Sequence, residues 1–384
     1  MSLHIDLTEF LVNPITTGIQ RIVGEICRHA PTQTVVPVRL QGDRYISLPA
    51  ALVDAIKNLF IKGSSHSADE IRELGRPENG KPLVLKDQDV VLVPEVFDNP
   101  DRVAFFSRMS ADELRRIRFI VYDLLPMTHP EYFIAANAFD AYGYFKLLAR
   151  ATDCGFISEE TRDDYFLRLK HTKETSGVVL PLGSDSLGPR TTPVRSRELE
   201  FVVVGTIEPR KNHRLILDAF RPLLGTKSGV RLTFLGRIGW VDSELAAEIA
   251  SLAADANSGF SYVAAPTDNL LREHIAKARA TIYVSTAEGY GLPPVESLWL
   301  GTPVIASTAI PSLKRLPLKG IEFVEALNAD CLRETALRFR DEAFASRKIE
   351  ETRELNLPTW RSFAEEVLRW CGSSNGREAC ESIH

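Results

Sequence analysis

Two carboxylates eight positions apart, Glu288 and Glu296, bracket a glycine-rich turn in the stretch TIYVSTAEGYGLPPVESLWLGTPVIAS, residues 281–307. The turn, Gly289-Tyr290-Gly291, follows a β-branched run and precedes Leu292-Pro293-Pro294, where a helix can begin because proline in a first turn forfeits no hydrogen bond. Backbone N–H groups at Tyr290, Gly291 and Leu292 would then face the C-terminal end of a strand, where an anion binds. A second cluster lies upstream in VGTIEPRKN, residues 204–212. Gly205 permits a tight strand exit, Pro209 stiffens the loop, and Arg210 and Lys211 present adjacent cations before Asn212, a good helix N-cap. Arginine grips phosphate by forked hydrogen bonds and lysine acts as a point charge, so the pair suits a diphosphate. Phosphate between N–H groups and cations, with hydroxyls held by carboxylates, describes a sugar nucleotide.

These clusters need strands that end beneath them. The sequence supplies apolar runs alternating with helical patterns, the signature of an α/β fold with largely parallel sheets. In the first half, strands are predicted at Val35–Arg39, Asp89–Val93, Arg118–Tyr122 and Cys154–Ile157, and a helix over residues 18–30 with Ile19, Ile22, Val23, Ile26 and Cys27 on one stripe. Residues 62–82 are polar and read as an exposed insertion. Gly183–Arg197 is short of apolar residues, carries two prolines, and reads as a linker. A second series follows, with strands Glu200–Val204, Arg231–Leu235 and about 259–263, and helices Asn212–Leu224, about 242–256 and about 268–278.

The segment around Glu288 and Glu296 resembles the E-x7-E signature of the retaining nucleotide-sugar transferases called glycosyltransferase family 4, which have the GT-B fold. Gly289, Gly291, Leu292, Pro293 and Gly301 match its surroundings, and Gly205 through Asn212 resembles that family's G-x-x-x-x-R-K-N element. The N-terminal Thr16-Thr17-Gly18 resembles its glycine-rich first loop, with Gly18 alone left for close backbone approach to the donor. Arg21 suits a structural ion pair as well as a ligand contact. Ile120–Phe133 resembles the acceptor-side element, with Tyr122-Asp123 where many members have His-Asp. His129 there reads as a loop-fixing hydrogen-bond partner. Ile157-Ser158-Glu159 and Pro181-Leu182-Gly183 match structural landmarks.

The resemblance implies two Rossmann-like domains facing a central cleft: residues 1–190 on the acceptor side, 198–358 binding the nucleotide sugar, and 359–384 returning to the first domain. It also implies retention of anomeric configuration, Arg210 and Lys211 on the donor pyrophosphate, Glu296 on ribose hydroxyls, and Glu288 on the donor sugar. The departing phosphate itself takes the acceptor's proton in that family. No metal and no bound cofactor are then required, the nucleoside-diphosphate sugar being a co-substrate. GDP-mannose is favoured because Tyr122–Pro126 resembles bacterial polysaccharide mannosyltransferases, with UDP- and dTDP-sugars open. The acceptor is a glycan or lipid-linked sugar in surface polysaccharide or lipopolysaccharide biosynthesis. A nucleotide-sugar epimerase on the same fold and a non-catalytic sugar-nucleotide-binding subunit are the alternatives.

Bulk properties narrow the field. The chain has 384 residues, enough for two domains, and is 44% hydrophobic and 25% charged. Its net charge of -5 gives no global field for nucleic acid or anionic lipid. No apolar run reaches the roughly 18 residues of a membrane span, and the first residues lack a signal-peptide pattern. Five scattered cysteines, never in CxxC, fit a reducing cytoplasm better than zinc or disulfides. Peripheral contact with the cytoplasmic face of an inner membrane is compatible with this placement. Asp87-Gln88-Asp89 has the spacing of a metal–nucleotide motif but precedes its strand, so it reads as a solvated strand start. No P-loop and no GxSxG nucleophile elbow occurs.

Overall fold

The computed structural model describes residues 3–15, 18–31, 34–60, 67–133, 135–172, 177–191, 198–225 and 229–372. They form two compact units, one of Met1–Met127, Ala135–Leu182 and Thr359–His384, the other of Thr128–Ile134 and Gly183–Pro358.

Among the described residues the first unit is built on eight strands: β1 (Leu3–Asp6), β2 (Val35–Gln41), β3 (Arg44–Ser47), β4 (Lys81–Pro82), β5 (Val90–Val93), β6 (Ile117–Val121), β7 (Cys154–Phe156) and β8 (Val178–Val179). Their order is β4-β3-β2-β1-β5-β6-β7-β8. All pairs are parallel except β2–β3 and β3–β4. β5 and β6 are buried along their whole length, as strands covered by helices on both faces must be. The central strand β1 carries His4 and Asp6, both buried, and the apolar-run criterion passes over it. Asp6 is tolerated because Arg102 meets its Oδ2 at 2.6 Å, Tyr45 donates to the same oxygen at 2.8 Å, and the Thr8 N–H donates to Oδ1 at 2.9 Å. The helix Trp360–Gly372 packs on the helix Gly18–His29 and on β1. Trp370 is fully buried, donates to Asp153 Oδ1 at 2.9 Å, and covers Gly155, where a Cβ would lie 3.0 Å from the indole.

Two sequence expectations change here. Residues 62–66 of the supposed insertion lie outside the described residues, but Ala68–Leu74 is a helix with Ile71 fully buried, and Lys81–Pro82 pairs with β3. One apolar residue aimed inward suffices to dock a short helix, so average polarity misleads. Asp89 is also buried: its Oδ2 accepts the Lys86 N–H at 2.9 Å, whereas Asp87 is exposed and pairs with Arg116.

Among the described residues the second unit has six parallel strands, β9 (Glu200–Val204), β10 (Arg231–Leu235), β11 (Phe260–Val263), β12 (Ala280–Tyr283), β13 (Val304–Ala306) and β14 (Ile321–Phe323), ordered β11-β10-β9-β12-β13-β14. In chain order that is third-second-first-fourth-fifth-sixth, the doubly wound arrangement of a dinucleotide-binding fold. Its core stacks Phe201 edge-on to Phe220 at 5.1 Å and Phe234 edge-on to Phe260 at 5.0 Å. The chain leaves β9 toward β10 on one side, and β12 comes to lie on the other. The topological switch point therefore falls between β9 and β12, beneath the two loops singled out by sequence.

Candidate functional site at the β9–β12 switch point

Backbone geometry brings the two loops together. Gly205, which follows β9, has φ +139°, and a Cβ there would lie 3.2 Å from Lys211 Nζ, so glycine lets the lysine fold across the strand exit. Residues 209–211 form one 3-10 turn, and Asn212 ends it in the left-handed region at φ +56°. Asn212 does not cap the helix His213–Phe220 with its side chain; its Nδ2 donates to the Val284 carbonyl at 2.8 Å instead. That corrects the N-cap expectation: the amide ties the β9 loop to the β12 loop. The Thr286 N–H adds a second tie to the Arg210 carbonyl at 2.8 Å.

The charged groups converge across these ties. Glu288 accepts from Arg210 through Oε2 at 2.6 Å and from Lys211 Nζ through Oε1 at 3.2 Å, while Ser285 Oγ donates to Oε1 at 2.9 Å. Burial pushes this carboxyl up, but Lys211 and Arg210 outweigh it and hold it down to about 2. Arg210 also reaches Glu208 at 2.6 Å and the Ala287 carbonyl at 3.1 Å. Glu208 is 5% exposed, and burial raises its pKa against the pull of Arg210 and Lys211. Sequence reasoning singled out the cations in VGTIEPRKN but not this acid, although an acid two positions before an arginine at a strand exit is a readable signal. His213, next along, lies edge-on to Phe234 at 5.0 Å; burial, with Lys211 adding to it, lowers its pKa to about 3, so it brings no charge.

The helix Leu292–Trp299 begins directly after this cluster, with Pro293 and Pro294 in its first turn. Gly291 precedes it at φ +91°, and a Cβ there would lie 2.5 Å from Ile310 Cγ2. Ser312 clamps the turn from the far side: its N–H donates to the Tyr290 carbonyl at 2.9 Å and its Oγ to the Gly291 carbonyl at 2.7 Å. The loop is thus fixed with the helix's first N–H groups at the switch point. Tyr290 is 7% exposed, and Glu296, in the middle of the helix, is equally buried and accepts from Ser186 Oγ.

The acceptor-side candidates lie in the first unit. Tyr122 is buried and its hydroxyl donates to the Pro94 carbonyl, while Asp123 Oδ1 accepts the Leu125 N–H at 3.0 Å. Gly18 starts its helix at φ +59° and is exposed, whereas Arg21 is buried; Thr16 and Thr17 lie outside the described residues. His129 Nδ1 meets Glu131 at 3.3 Å and its ring stacks on Tyr132. Its segment belongs to the second unit, where Trp240 Nε1 donates to the Tyr132 carbonyl at 2.7 Å.

Residues 189–322 match the family model of glycosyl transferases group 1. Over nearly the whole chain the fold is similar to Anabaena HepE, solved with UDP and glucose (13% identity, TM-score 0.63, 97% of this chain and 100% of that one). It is likewise similar to sucrose-phosphate synthase from Thermosynechococcus elongatus (14% identity, TM-score 0.59, 96% and 98%). The chain has the GT-B fold, and the match to the group 1 glycosyl transferase model falls within its second unit.

Among curated relatives, it is 26% identical over 246 residues to the serotype-specific mannosyltransferase WbdA of Escherichia coli, 59% of this chain and 30% of that protein. It is 34% identical over 113 residues to the O-antigen chain mannosyltransferase B of Escherichia coli, 29% of each. The chain thus spans less than a third of the length of these curated relatives. No helix among the described residues is long and apolar enough to cross a membrane.

Proposed function

We propose that the chain is a retaining glycosyltransferase that moves mannose from GDP-mannose to a glycan or lipid-linked acceptor in surface polysaccharide biosynthesis, at the cytoplasmic face of a membrane. The observation that carries this reading is the convergence of Arg210, Lys211 and Glu288 at the switch point, beside the first turn of Leu292–Trp299. Breaking an anomeric C–O bond places charge on the departing diphosphate. Preorganised cations and helix N–H groups stabilise that charge without reorganising when the bond breaks. Arg210 and Lys211 have this role, with Gly205 leaving room for the lysine; Glu296 holds ribose hydroxyls. Glu288 holds donor-sugar hydroxyls and faces the positive charge that builds at the anomeric carbon.

Glu288 has a second role before substrate arrives. Two adjacent cations repel each other, and this carboxylate holds both in place for the diphosphate. Because the diphosphate charge is covered by fixed groups, the reaction needs no divalent metal. Asp123 serves the acceptor, and the leaving phosphate takes the acceptor proton. The mannosyltransferase relatives support the choice of sugar, and no comparison reported above favours the epimerase or the non-catalytic reading.

The test is turnover of GDP-, UDP- and dTDP-sugars in excess EDTA, with proton NMR of the new glycosidic linkage. The expected result is activity with GDP-mannose, undiminished by EDTA, and an unchanged anomeric configuration. An inverted product, or activity that returns only with magnesium or manganese, contradicts the mechanism.

A further inference from the structure

Residues 183–191, the described part of the segment that composition marks as a linker, are bound along the second unit. Ser184 is fully buried and its N–H donates to the Pro358 carbonyl at 2.9 Å. Asp185 to Gly188 form a β-turn closed by the Gly188 N–H on the Asp185 carbonyl at 3.0 Å, with Gly188 at φ +104°. Arg272 donates to the Leu187 carbonyl at 2.9 Å and Trp299 Nε1 to the Gly188 carbonyl at 2.9 Å, while Arg190 lies 4.6 Å over the Trp299 ring. Thr191 Oγ1 donates to the Leu300 carbonyl. Polar ties thus anchor the turn at two points to the end of the helix that carries Glu296. They hold Ser186, the first central residue of the turn, against that glutamate, where its hydroxyl donates to Oε1.

We infer that Ser186 is a positioning residue for Glu296, setting the carboxylate's orientation toward the donor ribose; this rests on the glycosyltransferase reading above. A buried carboxylate must be met by donors, and a charge-assisted hydrogen bond from a hydroxyl is among the stronger ones. The tie spans 110 residues of sequence, so the turn and the helix act as one element of the nucleoside site. Ser186 touches neither the diphosphate cations nor the reacting centre. Its effect is therefore confined to nucleoside recognition.

The experiment is calorimetric titration of the full chain with GDP, UDP and inorganic pyrophosphate, comparing wild type with Ser186→Ala, Ser186→Thr, Glu296→Ala and the Ser186→Ala/Glu296→Ala double variant. The expected loss in nucleoside-diphosphate affinity for Ser186→Ala is about 5- to 10-fold, with pyrophosphate binding unchanged. Ser186→Thr should retain affinity because it keeps the hydroxyl. Adding Ser186→Ala to Glu296→Ala should cost nothing further, since the partner is gone. Equal weakening of pyrophosphate, unchanged nucleotide affinity in Ser186→Ala, or additive losses in the double variant would overturn the inference. If Glu296→Ala alone weakens nucleotide binding while Ser186→Ala does not, the inference falls and the glycosyltransferase reading stands. A wild-type chain that binds neither nucleotide overturns both.

Discussion

Glu288 is held by Arg210, Lys211 and Ser285, so its charge is tied to the arrangement of the whole site. Glu288→Gln keeps size and hydrogen-bonding capacity but removes the charge that the proposed mechanism sets opposite the developing oxocarbenium centre. We expect kcat to fall on the order of 100-fold, beyond any loss of donor affinity from loosened cations, the pattern of an interaction strengthened in the transition state. Steady-state kinetics decide it, and a variant that loses only donor affinity assigns Glu288 to binding. Glu95 offers a separate test of buried electrostatics, in the first unit. It is 1% exposed, and burial raises its carboxyl to about 8 against the pull of Arg102. Between the unfolded value near 4.5 and about 8, the folded chain keeps a proton that the unfolded chain releases. Stability therefore falls as pH rises through that window. Glu95→Gln removes this slope, and its advantage over wild type should widen toward pH 8, to about 2–4 kcal/mol. Thermal melts from pH 5 to 8.5 give the answer, and a gap that does not change with pH contradicts it.

At the scale of elements, the strand–loop–helix unit around Gly291 is the part least able to tolerate change. A Cβ at φ +91° is strained wherever it points, and here it meets Ile310 at 2.5 Å. Gly291→Ala should cost about 1–3 kcal/mol of stability and shift the helix N–H groups out of place. Nucleoside-diphosphate affinity should fall with it. A variant with unchanged melting temperature and affinity shows that the loop is not the rigid platform described. How much of this was legible differs by element. β9 and β10 fall on the residues expected, because Val, Phe and Leu runs bounded by charges can be read locally. β1 could not be read that way: His4 and Asp6 interrupt its apolar pattern, and what makes Asp6 acceptable is Arg102, 96 residues away. The expected linker, residues 183–197, does start at the boundary between the two units, but its described residues 183–191 are held in place. Its order comes from hydrogen bonds given by Arg272 and Trp299, which composition does not reveal. Glu288 with Arg210 is expected from two motifs that each follow a strand, and Glu208 is readable beside Arg210, but Ser186 becomes meaningful only once the loops are placed.

For the molecule as a whole, the account rests on the sheet order of the second unit. That order puts the β9 and β12 loops side by side, so residues 77 positions apart become one charged cluster. The helix Trp360–Gly372 shows the same principle in the first unit: the last described helix packs beside the first strand, and Trp370 fills the space over Gly155. The central claim is that the cations at the switch point bind the diphosphate of a nucleotide donor. It is tested most directly by calorimetric titration of wild type, Arg210→Ala and Lys211→Ala with GDP, UDP and dTDP. The account predicts saturable binding by wild type, tightest for GDP, weakened about 10- to 150-fold by either substitution, the range of a charge-assisted hydrogen bond. Binding that survives both substitutions, or no binding of any of the three, would contradict it.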